Sequence, residues 1–262
     1  MKRLGLVLIV LAALCSGFAS HAAVAAGVYT CTNGAIPTGT YSTLLVTGSC
    51  TIPAGATVTV TGNVTIAANA VLNAITENSN LTVEGNVTVA YHGALGLGCS
   101  TAIDTACTTP TADRIGGSLL ATQPTELILH SDTIGSLTMQ GGGSGVTCKV
   151  NSRLVVPPIV LPPPITFPLP EYSAFEDNHM TGTVLVSGYQ SCFLDFIRNV
   201  VSGTVTLTNN KLADPDAMEV VTNTVTGTLV CAGNSPQAQV GDSMGQPNTV
   251  RGVNACPVKP AP

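Results

Sequence analysis

The chain has 262 residues, of which 45% are apolar and only 9% charged, against about 25% charged in an ordinary soluble domain. Nine basic residues face 14 acidic ones for a formal net charge of −5, which excludes a charge-solvated disordered chain and disfavours a nucleic-acid partner. With 27 glycines, 17 prolines, abundant Thr and Val, no tryptophan and 4% aromatics, the composition is that of an all-β chain rich in turns.

The chain opens with Met1, Lys2 and Arg3, an apolar stretch from Leu4 to about Leu14, and small residues through Ala26. That layout predicts a secretory signal peptide over residues 1–26, with residues 27–262 as one mature, secreted domain. No later segment reaches the ~20 uninterrupted apolar residues of a membrane helix, so no membrane span is expected. Beyond Cys15, the cysteines are Cys31, Cys50, Cys99, Cys107, Cys148, Cys192, Cys231 and Cys256. An even set in an exported chain predicts a disulfide frame, although eight cysteines allow about 105 pairings. Nearness in sequence favours Cys31 with Cys50, Cys99 with Cys107 and Cys231 with Cys256, leaving Cys148 for Cys192. No metal is expected on these residues, because no CxxC or CxxH pair occurs and His92, His130 and His179 lie far apart.

From the N-terminal third onward a short phrase recurs: apolar, any, Gly, small polar, apolar, any, apolar. It is centred on Gly48, Gly62, Gly85, Gly117, Gly135, Gly182, Gly203 and Gly227, with a degenerate copy at Gly252. After the glycine, apolar residues recur at every second position (Val184 and Val186, Val205 and Leu207), which marks strands with one buried face. The last intervals are 21, 24 and 25 residues, the length of a unit that cannot bury its own face and must stack on its neighbours. A single-stranded right-handed parallel β-helix, or β-solenoid, is therefore the predicted fold. Asn178, Asn199, Asn223 and Asn248 each stand four residues before a repeat glycine, which predicts an asparagine ladder at a turn between strands.

Three intervals break the rhythm. The 14 residues from Gly48 to Gly62 are too few for a coil and read as part of an N-terminal cap, Gly27 to Ser49, tied by Cys31 and Cys50. The excess from Gly85 to Gly117 is placed in the Cys99–Cys107 loop. The excess from Gly135 to Gly182 is placed in a Pro-rich arm at about residues 155–170, extended and outside any sheet interior. Ser235 to Pro262, tied back by Cys256, reads as the C-terminal cap.

The chemistry-bearing residues cluster in the last third. Aromatic rings concentrate between Phe167 and Phe196, which reads first as a satellite core packed by the Pro-rich arm; if a sugar binds there, Tyr189 with Phe193 are the candidate contacts. Asp195 with Arg198, and Asp214, Asp216 and Glu219 near Lys211, are the candidate acid and base groups of a polysaccharide-active enzyme. Asp214, Asp216 and Glu219 are also the candidate Ca²⁺ ligands, against the simpler reading of Asp214-Pro215-Asp216 as a turn. Gly241-Asp242-Ser243 has the letters of a serine-protease loop but no histidine in a matching neighbourhood. Thr183, Thr204 and Thr228 recur in phase on the outward side, as expected of strand threonines facing water and too few for an ice-binding array.

The segments Asp214 to Val225, Cys231-Ala232-Gly233-Asn234-Ser235-Pro236 and Gly241-Asp242-Ser243, with Ala94 to Cys99 and the glycine run Gly141 to Gly145, resemble secreted actinobacterial proteins of unknown function built from Gly-Asn-Val/Leu coils. The chain departs from that pattern with threonine at 183, 204 and 228 and with the Pro-rich arm. What the resemblance implies is a secreted β-solenoid, with no particular activity. The expectation is a structural or binding module at the cell envelope or outside the cell, with extracellular or cell-wall polysaccharide as partner and no cofactor beyond possible Ca²⁺. The alternative is a lyase- or glycosidase-type enzyme with an acidic site at Asp195 to Glu219.

Overall fold

The computed structural model describes residues 27–100, 107–111, 113–154, 169–241 and 243–260. The expected signal peptide and nearly all of the Pro-rich arm lie outside them. Every assigned strand pairing is parallel, in one 23-stranded and one 2-stranded sheet. The chain is a parallel β-helix, and each full coil visits three faces, called here the first, second and third sheets in the order the chain meets them.

The second sheet carries the glycine phrase. Its strands include Val64–Ile66, Val87–Val89, Val184–Ser187, Val205–Thr208 and Leu229–Ala232. The register stacks Leu44, Val64, Val87, Leu119, Leu137, Val184, Val205 and Leu229 in one buried column. Glycine precedes it for a steric reason. A Cβ on Gly203 would lie 2.4 Å from the carbonyl oxygen of Gly182, and one on Gly227 2.5 Å from that of Gly203. The same carbonyls accept the N–H of the next glycine, at 3.1 and 3.2 Å.

The first sheet precedes this turn and stacks Tyr41, Val60, Val83, Ile115, Ile134, Met180, Val201 and Val225. The third sheet follows a corner and comprises Val71–Ala74, Ala94–Leu97, Glu126–His130, Ser173–Glu176, Leu194–Ile197 and Met218–Val221. Its inward column Ala74, Leu97, Leu129, Phe175, Phe196 and Val220 completes the core between the three sheets.

The return from third to first sheet is the predicted asparagine ladder. Asp177, Arg198 and Thr222 adopt left-handed φ of 58, 58 and 59° and swing the next side chain inward. Asn178, Asn199 and Asn223 each direct a backbone N–H and the side-chain amide at the Oδ1 of the following asparagine, at 2.9 to 3.1 Å. The amides of Asn199 and Asn223 also donate to the carbonyls of Phe175 and Phe196 on the preceding coil. A second ladder, at the corner between second and third sheets, joins Tyr189, Asn210 and Asn234. Its signal was present in the sequence: Asn210 and Asn234 each follow a ladder asparagine by 11 residues.

Both expected caps turn out to be rungs. Val28–Ala35 pairs in parallel with Thr43–Thr51, and Asn254–Ala255 pairs with Leu229 and Val230. The short interval at Gly48 has the same explanation. Gly48 lies inside a strand running from the second sheet into the third, whereas Ser42 occupies the place below Gly62, its carbonyl 2.4 Å from where a Cβ would stand. The disulfides are Cys31–Cys50, Cys99–Cys107, Cys148–Cys192 and Cys231–Cys256, compatible with an oxidising, extracellular environment. No helix among the described residues is long and apolar enough to cross a membrane.

Candidate functional site

Two faces of the solenoid carry the candidate chemistry, and they differ in kind. On the second sheet the outward side chains form rows along the axis. One row reads Thr43, Asn63, Asn86, Ser118, Ser136, Thr183, Thr204, Thr228, and the next Leu45, Thr65, Thr88, Leu120, Thr138, Leu185, Thr206, Val230. These side chains are half-buried or exposed, and none is charged.

The third sheet is covered. Residues 141–154 leave the second sheet after Gln140, and their start forms the corner rung of their coil, with Gly143 N–H donating to Pro124 and Gly145 N–H to Gln190. Gly143 takes φ 80°, and a Cβ there would stand 1.8 Å from the Gln190 carbonyl oxygen, which explains part of the glycine run. The strap is pinned by Cys148–Cys192 and then runs back over the sheet. Leu154 packs with Val71, Ile75, Ala94 and Ile128 in a small outer core. The Arg153 guanidinium donates to the carbonyls of His92 and Asn69 on two earlier coils.

Two buried carboxyls anchor this strap. Glu126, fully buried, accepts the Ser152 hydroxyl at 2.7 Å and the backbone N–H groups of Arg153 and Leu154 at 2.5 and 3.0 Å. Burial pushes its pKa up, against those donors and the Arg153 charge. Glu171, 3% exposed, accepts the Asn151 amide at 3.2 Å. Burial and then the nearby Glu126 charge raise it to about 7, opposed by the Ser144 hydroxyl and Arg153. Sequence reasoning missed both residues, because each stands alone in its own coil and only the strap brings partners to it.

Tyr189, expected as a ligand contact, is not a surface ring. It is fully buried at the corner, its hydroxyl donating to the Thr125 carbonyl at 2.9 Å, and burial drives its pKa upward. Phe193 is half-buried and packs against the main core. Asp195 and Glu219 stand directly opposite each other on adjacent strands of the third sheet, facing outward. Glu219 is buried, beneath Gly241, where a Cβ would stand 2.0 Å from its Oε1. Arg198 is not placed as a base: its guanidinium donates to Glu176 and Asp177, each at 2.7 Å. Those two carboxylates hold its proton more firmly.

Asp214 does not join the pair. It closes a turn, its Oδ1 accepting the Asp216 N–H at 3.2 Å and its carbonyl the Ala217 N–H at 3.4 Å. The metal-capable grouping nearest to it, Cys148, Cys192 and Asp214, has both its sulfurs in a disulfide. The expected Ca²⁺ set of Asp214, Asp216 and Glu219 is not among the described groups of three or more close donors. Lys211 lies at the other corner, paired with Gln190.

Chemically, the acidic residues of the third sheet are mostly engaged in holding strap, turns and neighbouring coils together. The second sheet presents a rigid, neutral, hydroxyl-bearing plane. No protein-family model matches the chain, and neither does any curated protein or solved structure.

Proposed function

We propose that the protein is a secreted, disulfide-stabilised surface module that binds extended, uncharged polysaccharide along the outer face of its second sheet, at the cell envelope or outside the cell. The observation that carries this reading is the pair of neutral outward rows: Thr43, Ser118, Ser136, Thr183, Thr204 and Thr228 offer hydroxyls and Asn63 and Asn86 amides on every rung of one, and Thr65, Thr88, Thr138 and Thr206 are interspersed with apolar residues in the other. Rungs are about 4.8 Å apart, so a linear polymer meets the same donors and acceptors repeatedly. The plane is held by backbone ladders and pays little ordering entropy on binding. The resemblance to secreted actinobacterial solenoids and the basic-apolar leader support the location.

The test is co-sedimentation of the oxidised protein with insoluble polysaccharides and purified cell wall, with and without Ca²⁺. Pelleting of the wild type, lost in a Leu185→Lys/Thr206→Lys variant that keeps its denaturation midpoint, is the expected result. Failure to pellet with any of them, or equal pelleting of the variant, overturns the reading. A second reading, a polysaccharide-active enzyme, is favoured by the side-by-side placement of Asp195 and Glu219. It requires released sugar in the supernatant that disappears in Asp195→Asn and Glu219→Gln.

A further inference from the structure

We propose that Asp113 and Asp132 share one buried proton, which closes the polar column beside Gly98, and that this closure loosens as the pair ionises. The column is the asparagine ladder extended toward the N-terminus. The Thr133 N–H donates to the Asp113 carbonyl and the His179 N–H to the Asp132 carbonyl, just as the Val200 N–H donates to Asn178. Asp113 and Asp132 thus occupy the two ladder positions before Asn178, carboxyls where the later coils have amides.

The two carboxyls are not equivalent. Asp113, 2% exposed, accepts the N–H of Leu81 on Oδ1 at 2.5 Å and of Gly98 on Oδ2 at 2.9 Å, so its charged form is well supported. Among the described residues, Asp132, 1% exposed, has no hydrogen-bond donor on either carboxyl oxygen, although its backbone N–H donates to Asn178 at 2.9 Å. Its Oδ1 lies 3.0 Å from where a Cβ on Gly98 would stand, beside the amide that binds Asp113. In the next coil Asn178 fills this position by donating its amide to the Leu129 carbonyl at 2.8 Å. A carboxylate there has nothing to donate, and an unpaired buried charge is among the most expensive groups a core can hold. A protonated carboxyl restores the missing donor.

Among the described residues, the ionisable groups around Asp132 are few. Asp113 faces it from the preceding coil, His130 stands two residues earlier on the third sheet, and beyond His130 lie Glu176 and the Arg198–Asp177 pair. From the following coil it meets the neutral Asn178. Burial first, and then the Asp113 charge, hold Asp132 well above the ordinary carboxyl range; burial raises Asp113 to about 7. A cation in place of the proton is disfavoured, since both Asp113 oxygens already take N–H donors. Gly98 and Asp113 also flank the Cys99–Cys107 disulfide in sequence, so the proton ties together the strand ends on either side of it.

The sign follows from the raised values. A folded carboxyl that holds its proton more tightly than the unfolded chain contributes stability that is full below the unfolded value near 3.8 and is lost as pH rises through about 7. The experiment is chemical denaturation of the oxidised wild type and of Asp132→Asn across this range, each also in a Glu171→Gln background to remove the other strongly shifted carboxyl. Asp132→Asn is expected to flatten the pH slope and to lower the unfolding constant at pH ~8 by about tenfold or more, one pKa unit of coupling being a factor of ten. Equal slopes and equal midpoints overturn the proposal. A midpoint that responds to added Ca²⁺ or chelator in the wild type but not in Asp132→Asn also overturns it, in favour of a bound ion. Carboxyl-carbon NMR of aspartate-labelled wild type, which needs no variant, should show an aspartate protonated at pH ~6 that titrates only above it. All aspartates ionised at that pH would refute the shared proton.

Discussion

The second and third sheets are built from the same coils, yet one is open and the other closed on both sides. In the second sheet, strands such as Val184–Ser187 and Val205–Thr208 alternate buried and half-exposed positions, whereas Glu126–His130, Ser173–Glu176 and Met218–Val221 are buried at every residue. Covering a sheet adds apolar contact, as Leu154 shows against Ile75 and Ile128, but it also buries whatever polar groups lie on the outer side. Glu126 is satisfied by three strap donors, and Glu171 holds its proton up to about pH 7. The open sheet has no such debts to settle and keeps a neutral, hydrated surface.

The largest effect should come from the core both sheets share. Phe196→Ala, which empties a fully buried ring site, should lower stability by about 3–5 kcal/mol, read as a shift in the denaturant midpoint at unchanged slope. Asn199→Ala should come next, at about 2–4 kcal/mol, because it leaves the Asn178 N–H without its acceptor in the interior and takes an amide donor from the Phe175 carbonyl. Leu154→Ala separates the two sheets directly: about 2–3 kcal/mol is expected from lost strap packing, with faster proteolysis at the strap and undiminished pelleting with polysaccharide. Loss of pelleting there would move the binding face from the open sheet to the covered one.

Glu171→Gln should act only at the alkaline end. The folded carboxyl at about 7 adds stability below the unfolded value near 4.5 that is lost as pH rises through 7. The amide should therefore raise the midpoint above pH ~7 relative to wild type and narrow the difference toward pH ~4. Smallest in stability is Thr206→Lys on the open sheet, within about 0.5 kcal/mol of wild type, and its effect should appear in binding alone.

The legibility of the two sheets follows from the same contrast. One-sided burial writes a period-two alternation after each glycine, so the second sheet, its phase and the ladder of Asn178, Asn199, Asn223 and Asn248 were readable residue by residue. Two-sided burial erases that alternation, so the third sheet left only its acids in view. Asp195 and Glu219 both stand in the candidate acidic site, and the register places them side by side. Arg198 and Asp214 were grouped with them by nearness in sequence, yet a left-handed turn sends Arg198 to Glu176 and Asp177, and Asp214 closes its own turn. The aromatic cluster around Tyr189 left a satellite core and a sugar-binding contact both open, and the corner ladder draws Tyr189 inside.

By itself, then, the sequence determined the coil length and the glycine-over-glycine stacking, since these depend on residues whose spacing repeats along the chain; for the cysteines it only favoured near neighbours, and the fold decided the partners. Tertiary structure alone decided which carboxyls lose their water. That depends on a strap crossing several coils and on two aspartates, 19 residues apart in sequence, meeting at Gly98. The repeat places the two aspartates in the ladder column, but it does not say that they lose their water, because burial and charge act through space and only the folded path sets the distances.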